Sequence, residues 1–94
     1  SIQKGLEWVV FESNDRLLWT KARASVENYL MELFRQGALQ GSKPDEAFFV
    51  KCGVGETMTE NDIANNRMIL EIGFAPLRPA EFIILKLEFK ILSE

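Results

Sequence analysis

The chain contains no histidine and a single cysteine, Cys52. Without histidine, Ser-His-Asp and Cys-His nucleophile systems, H-E-x-x-H zinc sites and imidazole acid–base chemistry are all excluded. One cysteine cannot form an internal disulfide. Cys52 falls in step with Phe48 and Val50, which reads as a small residue in a core rather than a reactive thiol. No apolar stretch approaches the roughly 20 residues a spanning helix needs, so no membrane partner is expected. Basic excess is also missing. The net charge is −3 and the signs are mixed along the chain, which argues against a nucleic-acid module, whose affinity comes from Lys and Arg on phosphates. Phosphate-loop spacings are absent: the glycines of "CGVG" and those at Gly37 and Gly41 make neither G-x-x-x-x-G-K-[ST] nor a G-x-G-x-x-G after a strand.

What is present is an ordinary globular composition, 47% hydrophobic and 27% charged over 94 residues, enough for one domain with a modest core. "GLEWVVFESND" carries a short apolar run, Trp8 to Phe11, that reads as a buried strand or extended lead-in. It stops at the N-cap residues Ser13, Asn14 and Asp15. From Asp15 the pattern turns helical. Leu18, Ala22, Val26, Tyr29, Leu30 and Leu33 form one stripe, widened by Trp19 and Phe34, and Gly37 follows as a C-cap. At about 1.5 Å per residue this helix is roughly 30 Å long and forms the scaffold. Trp8, Trp19 and Phe34 are read as core.

"GALQGSKPDEA" is a connector with one helical turn at Pro44–Ala47. Phe48–Cys52 is a short strand. Thr59 and Asp62 make a capping-box start for a short helix over Glu60–Asn65, and Asn66 or Asn65 can end it in the left-handed conformation. In "RMILEIGFA", Met68, Leu70, Ile72 and Phe74 share one face of a strand. "PLRP" interrupts the ladder and implies that the next strand is an antiparallel neighbour. In the last run, Ile83, Leu85, Leu87, Phe89 and Ile91 share one face. The other holds Phe82, Ile84, Lys86, Glu88 and Lys90, apolar at first and then charged. The fold class is therefore α+β, with a long and a short helix packed on a small, mainly antiparallel sheet.

Nothing in this pattern is catalytic. "TENDIANN" is rich in oxygen ligands but lacks the calcium-loop spacing, and helix capping accounts for it. Glu60, Asp62 and Glu71 are not brought into a cleft by any spacing. No cofactor and no metal is expected. The long final run is the unusual feature, because a long apolar edge strand invites pairing with another chain. An ordinary closing strand and a strand shared between chains both fit the periodicity.

"GLEWVVFESNDRLLW", "SVENYLMELFRQGALQG", "DEAFFVKC" and "TMTENDIANNRMILEIGFAPLRPAEFIILKLEF", in that order, resemble the C-terminal domain of phage-type contractile tail sheath proteins. The resemblance covers nearly the whole chain and lies nearer the phage-like branch than the type VI branch. It implies a non-enzymatic structural subunit, the C-terminal piece of a longer polypeptide, with residues 1–94 as the domain and 87–94 as a C-terminal arm. Such subunits stack as hexameric rings around an inner tube and contract to drive it through an envelope. Their sheets are completed by strands from neighbouring subunits. The implied partners are other sheath subunits, the inner tube protein, and baseplate and terminator proteins. The implied location is a phage tail or phage-like particle assembled in the bacterial cytoplasm. The inter-subunit strand is then expected at Phe82, Ile84, Lys86, Leu87, Glu88, Phe89, Lys90 and Ile91, with Phe82–Leu85 in the domain's own sheet and Leu87–Ile91 meeting another subunit. Glu60, Asp62 and Arg67 are candidates for tube contact, with Arg16, Lys21 and Arg23 as competitors. The alternative function is a stand-alone α+β module that self-associates by edge-strand pairing.

Overall fold

The computed structural model describes residues 2–92. Helix α1, Arg16–Arg35, begins where Asp15 leaves extended backbone and accepts the Leu18 N–H on its side chain at 3.0 Å. It ends at Gln36, and Gly37 follows at φ 80°, a conformation that glycine adopts without a Cβ penalty. The Pro44–Ala47 turn, α2, leads into strand β1, Phe48–Cys52. A short helix, α3, Glu60–Ala64, carries the full capping box of Thr59 and Asp62. Asn66 then reverses the chain at φ 56°. Strands β2, Arg67–Phe74, and β3, Ile83–Lys90, follow.

The N-terminal segment corrects the sequence reading. Lys4–Phe11 is a 3-10 helix, not a strand or extended lead-in. With three residues per turn, Leu6 and Val9 eclipse on one face, and both are buried. Trp8 and Phe11 turn outward, so Trp8 is not core; its indole N–H donates to the Gly5 carbonyl at 3.0 Å. A four-residue apolar run fits either period, which is why the sequence alone did not separate the two.

The three strands form one antiparallel sheet in the order β1-β2-β3. The register sets Val50, Ile72 and Leu85 in one cross-strand row and Cys52, Leu70 and Leu87 in the next. These rows face α1, whose Leu18, Ala22, Val26 and Leu30 close the core against Met68, Leu70 and Ile72. Phe89 and Ile91 fill its lower end with Leu6 and Val9. Backbone bonds lock that end: the Ile91 N–H donates to Asn66 O and the Leu92 N–H to Val10 O, each at 2.8 Å.

Neighbouring strands of the sheet differ in cover. Leu70 is 0% exposed and Leu85 is 39% exposed, although both point to the helical side. Leu70→Ala is expected to destabilise the domain by about 2–5 kcal/mol through lost burial and a cavity. Leu85→Ala is expected to cost less than about 1 kcal/mol, because its site is already open. Urea unfolding of the two variants measures the difference.

Candidate functional site

α1 packs chiefly on β1, so the upper half of β3 has no helix above it. The space left is an apolar cleft of about 380 Å³ between β3 and the C-terminal half of α1. Tyr29 and Leu33 form the helix wall; Phe74, Leu85 and Leu87 form the floor; Ile2 closes one end. Tyr29, assigned to the core stripe by its spacing, is 46% exposed because it hangs over this cleft. Beside the cleft runs the outer edge of β3, which pairs with no other strand among the described residues. An edge strand presents a row of unpaired backbone donors and acceptors. Adjoining an apolar trough, this edge offers both elements of β-strand addition: main-chain bonds and pockets for alternate side chains.

The strand residues expected to meet another subunit divide between the domain's own sheet and core and its exposed surface. Leu87–Lys90 pair with β2 of the same chain, opposite Leu70 to Arg67. Phe89 and Ile91 point into the chain's own core. Phe82 and Ile84, by contrast, stand exposed on the outer face of the sheet. Ser93 and Glu94, the end of the expected arm, lie outside the described residues, as does Ser1. Lys86, Glu88 and Lys90 are exposed, and the Lys90 ammonium donates to the Asn65 carbonyl at 2.7 Å.

Of the residues singled out for tube contact, Asp62 and Arg67 are brought together and Glu60 is not. The Arg67 guanidinium reaches Asp62 Oδ1 from both Nε and Nη2, each at 3.0 Å. Asp62 Oδ2 accepts the Thr59 N–H at 2.8 Å. Glu60 stands exposed one residue into α3. The pair ties α3 to the start of β2, and the Arg67 carbonyl in turn accepts the Asn14 amide, whose oxygen holds the Trp19 indole N–H. Trp19 is therefore half-buried with its polar edge satisfied. Among the competitors, Arg23 lies 3.8 Å from Glu56, while Arg16 borders the same polar hollow as Arg23. Lys21 faces a separate one beside Glu12 and Asp15.

No group of Cys, Asp and Glu among the described residues is arranged to hold a metal, and no described helix is long and apolar enough to cross a membrane. Cys52 is buried, and burial pushes its thiol from 9.0 up to about 12.

Comparison with known proteins identifies the family. The profile of the phage tail sheath C-terminal domain matches residues 1–90. The chain belongs to that family. Its sheath domain is similar to a chain in the six-fold symmetrised anti-feeding prophage (AFP) baseplate: 49% identity over 92% of this chain, at a TM-score of 0.79. It is also similar to a chain of an extracellular contractile injection system, the PVC sheath complex in its contracted state, with 44% identity over 92% of this chain and a TM-score of 0.78. In each case it spans 24% of the other chain's length. No curated protein matches it. The sheath domain is a structural component, not an enzyme.

Two titrations follow from the local chemistry. The Thr59 backbone N–H, and after it the Arg67 guanidinium, hold the Asp62 carboxyl below its ordinary 3.8. A depressed carboxylate contributes stability that is complete above 3.8 and is lost as pH falls through its lowered folded value. Asp62→Asn should flatten this acid limb, as read by urea unfolding between about pH 5 and pH 2. Cys52 has the opposite sign: the folded chain keeps its proton, so the contribution is complete below 9.0 and declines up to about 12. The folded domain should react with a disulfide reagent at least about tenfold more slowly than the urea-unfolded chain.

Proposed function

We propose that this domain is the joint of a contractile sheath subunit: the outer edge of β3 takes a strand from a neighbouring subunit, linking subunits into a mesh around an inner tube. The observation that carries the proposal is the free edge of Ile83–Lys90 running beside the apolar cleft of Tyr29, Leu33, Phe74, Leu85 and Leu87. Family membership supports it independently. An incoming strand would set alternate side chains into the trough and leave the others beside Ile84, Lys86, Glu88 and Lys90, whose charges help to fix register. Leu87–Lys90 then carry the joint through the outer edge of their strand, while Phe89 and Ile91 anchor it to its own domain.

Strand sharing makes the stability of each subunit depend on its neighbours. Main-chain bonds at the joint persist while rigid domains rotate about it, so rings of subunits, hexameric in this reading, can change pitch without separating. Contact with the tube must be weak enough to release. Exposed polar groups suit that task, since surface ion pairs contribute only about 0–1 kcal/mol each. Glu60 is free to make such a contact, whereas Asp62 and Arg67 first satisfy one another. In this reading the subunit assembles in the bacterial cytoplasm and functions in a phage tail or phage-like particle, whose baseplate and terminator proteins are further partners.

The test is Leu85→Lys in the full-length sheath protein expressed with its tube partner. A charge in the trough should leave the circular dichroism of the subunit unchanged and remove the striated cylinders seen by electron microscopy. Normal cylinders would sink the edge-pairing mechanism. A discrete dimer from the unsubstituted protein, with no polymer at any concentration, would favour a self-associating module instead.

A further inference from the structure

The inward row of β3 is sealed at one end and open at the other. Ile91 is 1% and Phe89 9% exposed; Leu87, next on that face, is half-buried, and Leu85 is 39% exposed. Alternate residues on one face lie about 7 Å apart, so the cover gives out within a step or two above Phe89. α1 does not set that border, since it lies chiefly over β1. The N-terminal segment does. Leu6 and Val9 of the 3-10 helix share a cluster with Phe89 and Ile91, and the Leu92 N–H bonds Val10 O, so this helix roofs the lower half of β3. The roof ends upward at Gln3 and Ile2, which line the cleft together with Leu85 and Leu87.

Ile2 stands between two cavities. On one side is the cleft of about 380 Å³; on the other is a pocket of about 100 Å³ against Gly5, Leu6, Ser25 and Val26. Ile2 and Tyr29 line both and form the partition between them. Tyr29 is fixed on α1, whereas Ile2 precedes the 3-10 helix and packs, partly buried, against the core. The neighbouring edge is regular. The bond from Ile91 N–H to Asn66 O joins directly opposite residues. Ladder alternation therefore turns the backbone groups of Leu85, Leu87 and Phe89 toward β2 and those of Ile84, Lys86 and Glu88 toward the free edge. Residues facing one another across strands share a face. An added strand therefore sets side chains into the cleft opposite Leu85 and Leu87, and its next inward side chain, opposite Phe89, meets Ile2 and Gln3.

We propose that Ile2 is the specificity-determining residue of the β3 edge. It ends the cleft, so that an added strand is read by two leucine-sized aliphatic side chains, at i and i+2, seated beside Leu85 and Leu87. No bulky side chain fits at the next inward position. The inference rests on the strand-addition reading above and supplies its register. A period-two pattern can slip along an edge by two residues and still keep its apolar face inward. A side chain closing one end of the cleft removes slip in that direction, because the next inward residue would have to displace Ile2 from its packing. Size is read at the same place. An aromatic ring at the lower anchor needs the pocket that Ile2 and Tyr29 fence off.

Three blocked peptides test this against the chain and its Ile2→Ala variant: Thr-Thr-Leu-Thr-Leu-Thr-Thr, and the same peptide with Trp in place of one Leu or the other. Affinities are measured by titration, with the amide exchange of Ile84, Lys86 and Glu88 followed by NMR. The unsubstituted chain should bind the two-leucine peptide most tightly. In Ile2→Ala, one Trp peptide should gain at least about fivefold relative to the two-leucine peptide, as a changed hydrophobic pocket implies, and the other should not. Slowed edge amides with an unchanged preference, or an equal gain by both Trp peptides, would overturn the role of Ile2 and leave strand addition standing. No slowing with any peptide would overturn both. Should Ile2→Ala lose the native circular dichroism, Ile2→Val decides. A shift of at least about twofold in the same direction supports the proposal, and no shift overturns it.

Discussion

One helix over three strands is the constraint from which the rest follows. A helix with its side chains is about 10–12 Å across, and strands lie about 4.8 Å apart. Seated on β1, α1 helps to seal the inward face of β2 and leaves that of β3 partly open. The inward rows therefore grade from Leu70 and Ile72, sealed beneath the helix, to Leu85, open at the far side. A second long helix would have closed the fold. The short helix α3 packs on β2 instead, and the upper half of β3 remains as the floor of an open cleft.

The lower end of β3 is treated differently, and the asymmetry is chemical. There the 3-10 helix supplies Leu6 and Val9, the strand supplies Phe89 and Ile91, and backbone bonds to Asn66 and Val10 fasten the terminus. Asn14 extends the fastening by bridging the Trp19 indole to the Arg67 carbonyl.

Most of the local structure was legible in the residues. Asp15 and Gly37 bound α1 as their chemistry requires, Thr59 with Asp62 starts α3, and Asn66 takes the left-handed turn. The alternation in β2 named the inward Met68, Leu70 and Ile72. Where legibility failed, the signal was ambiguous rather than absent. Trp8–Phe11 fits a period of two or three, and only Leu6 beneath it resolves the choice. Tyr29 lies on the correct stripe of α1, yet no periodicity tells whether a strand sits under that turn. The resemblance led Leu87–Ile91 to be expected to meet another subunit, and the pattern alone did not show that Leu87–Lys90 also pair with β2. Their outward charge meets solvent while the inward face fills the core.

The sequence by itself determined the elements from α1 onward, their caps, the inward faces of the strands and the family, since each depends on neighbours a few residues apart or on a pattern spread along the chain. It also excluded histidine chemistry outright. Tertiary structure alone decided which inward face went uncovered. Burial is a property of what lies opposite, and Leu70 and Leu85 carry the same side chain on the same face of the sheet. The difference between a sealed leucine and an open one is the width of one helix.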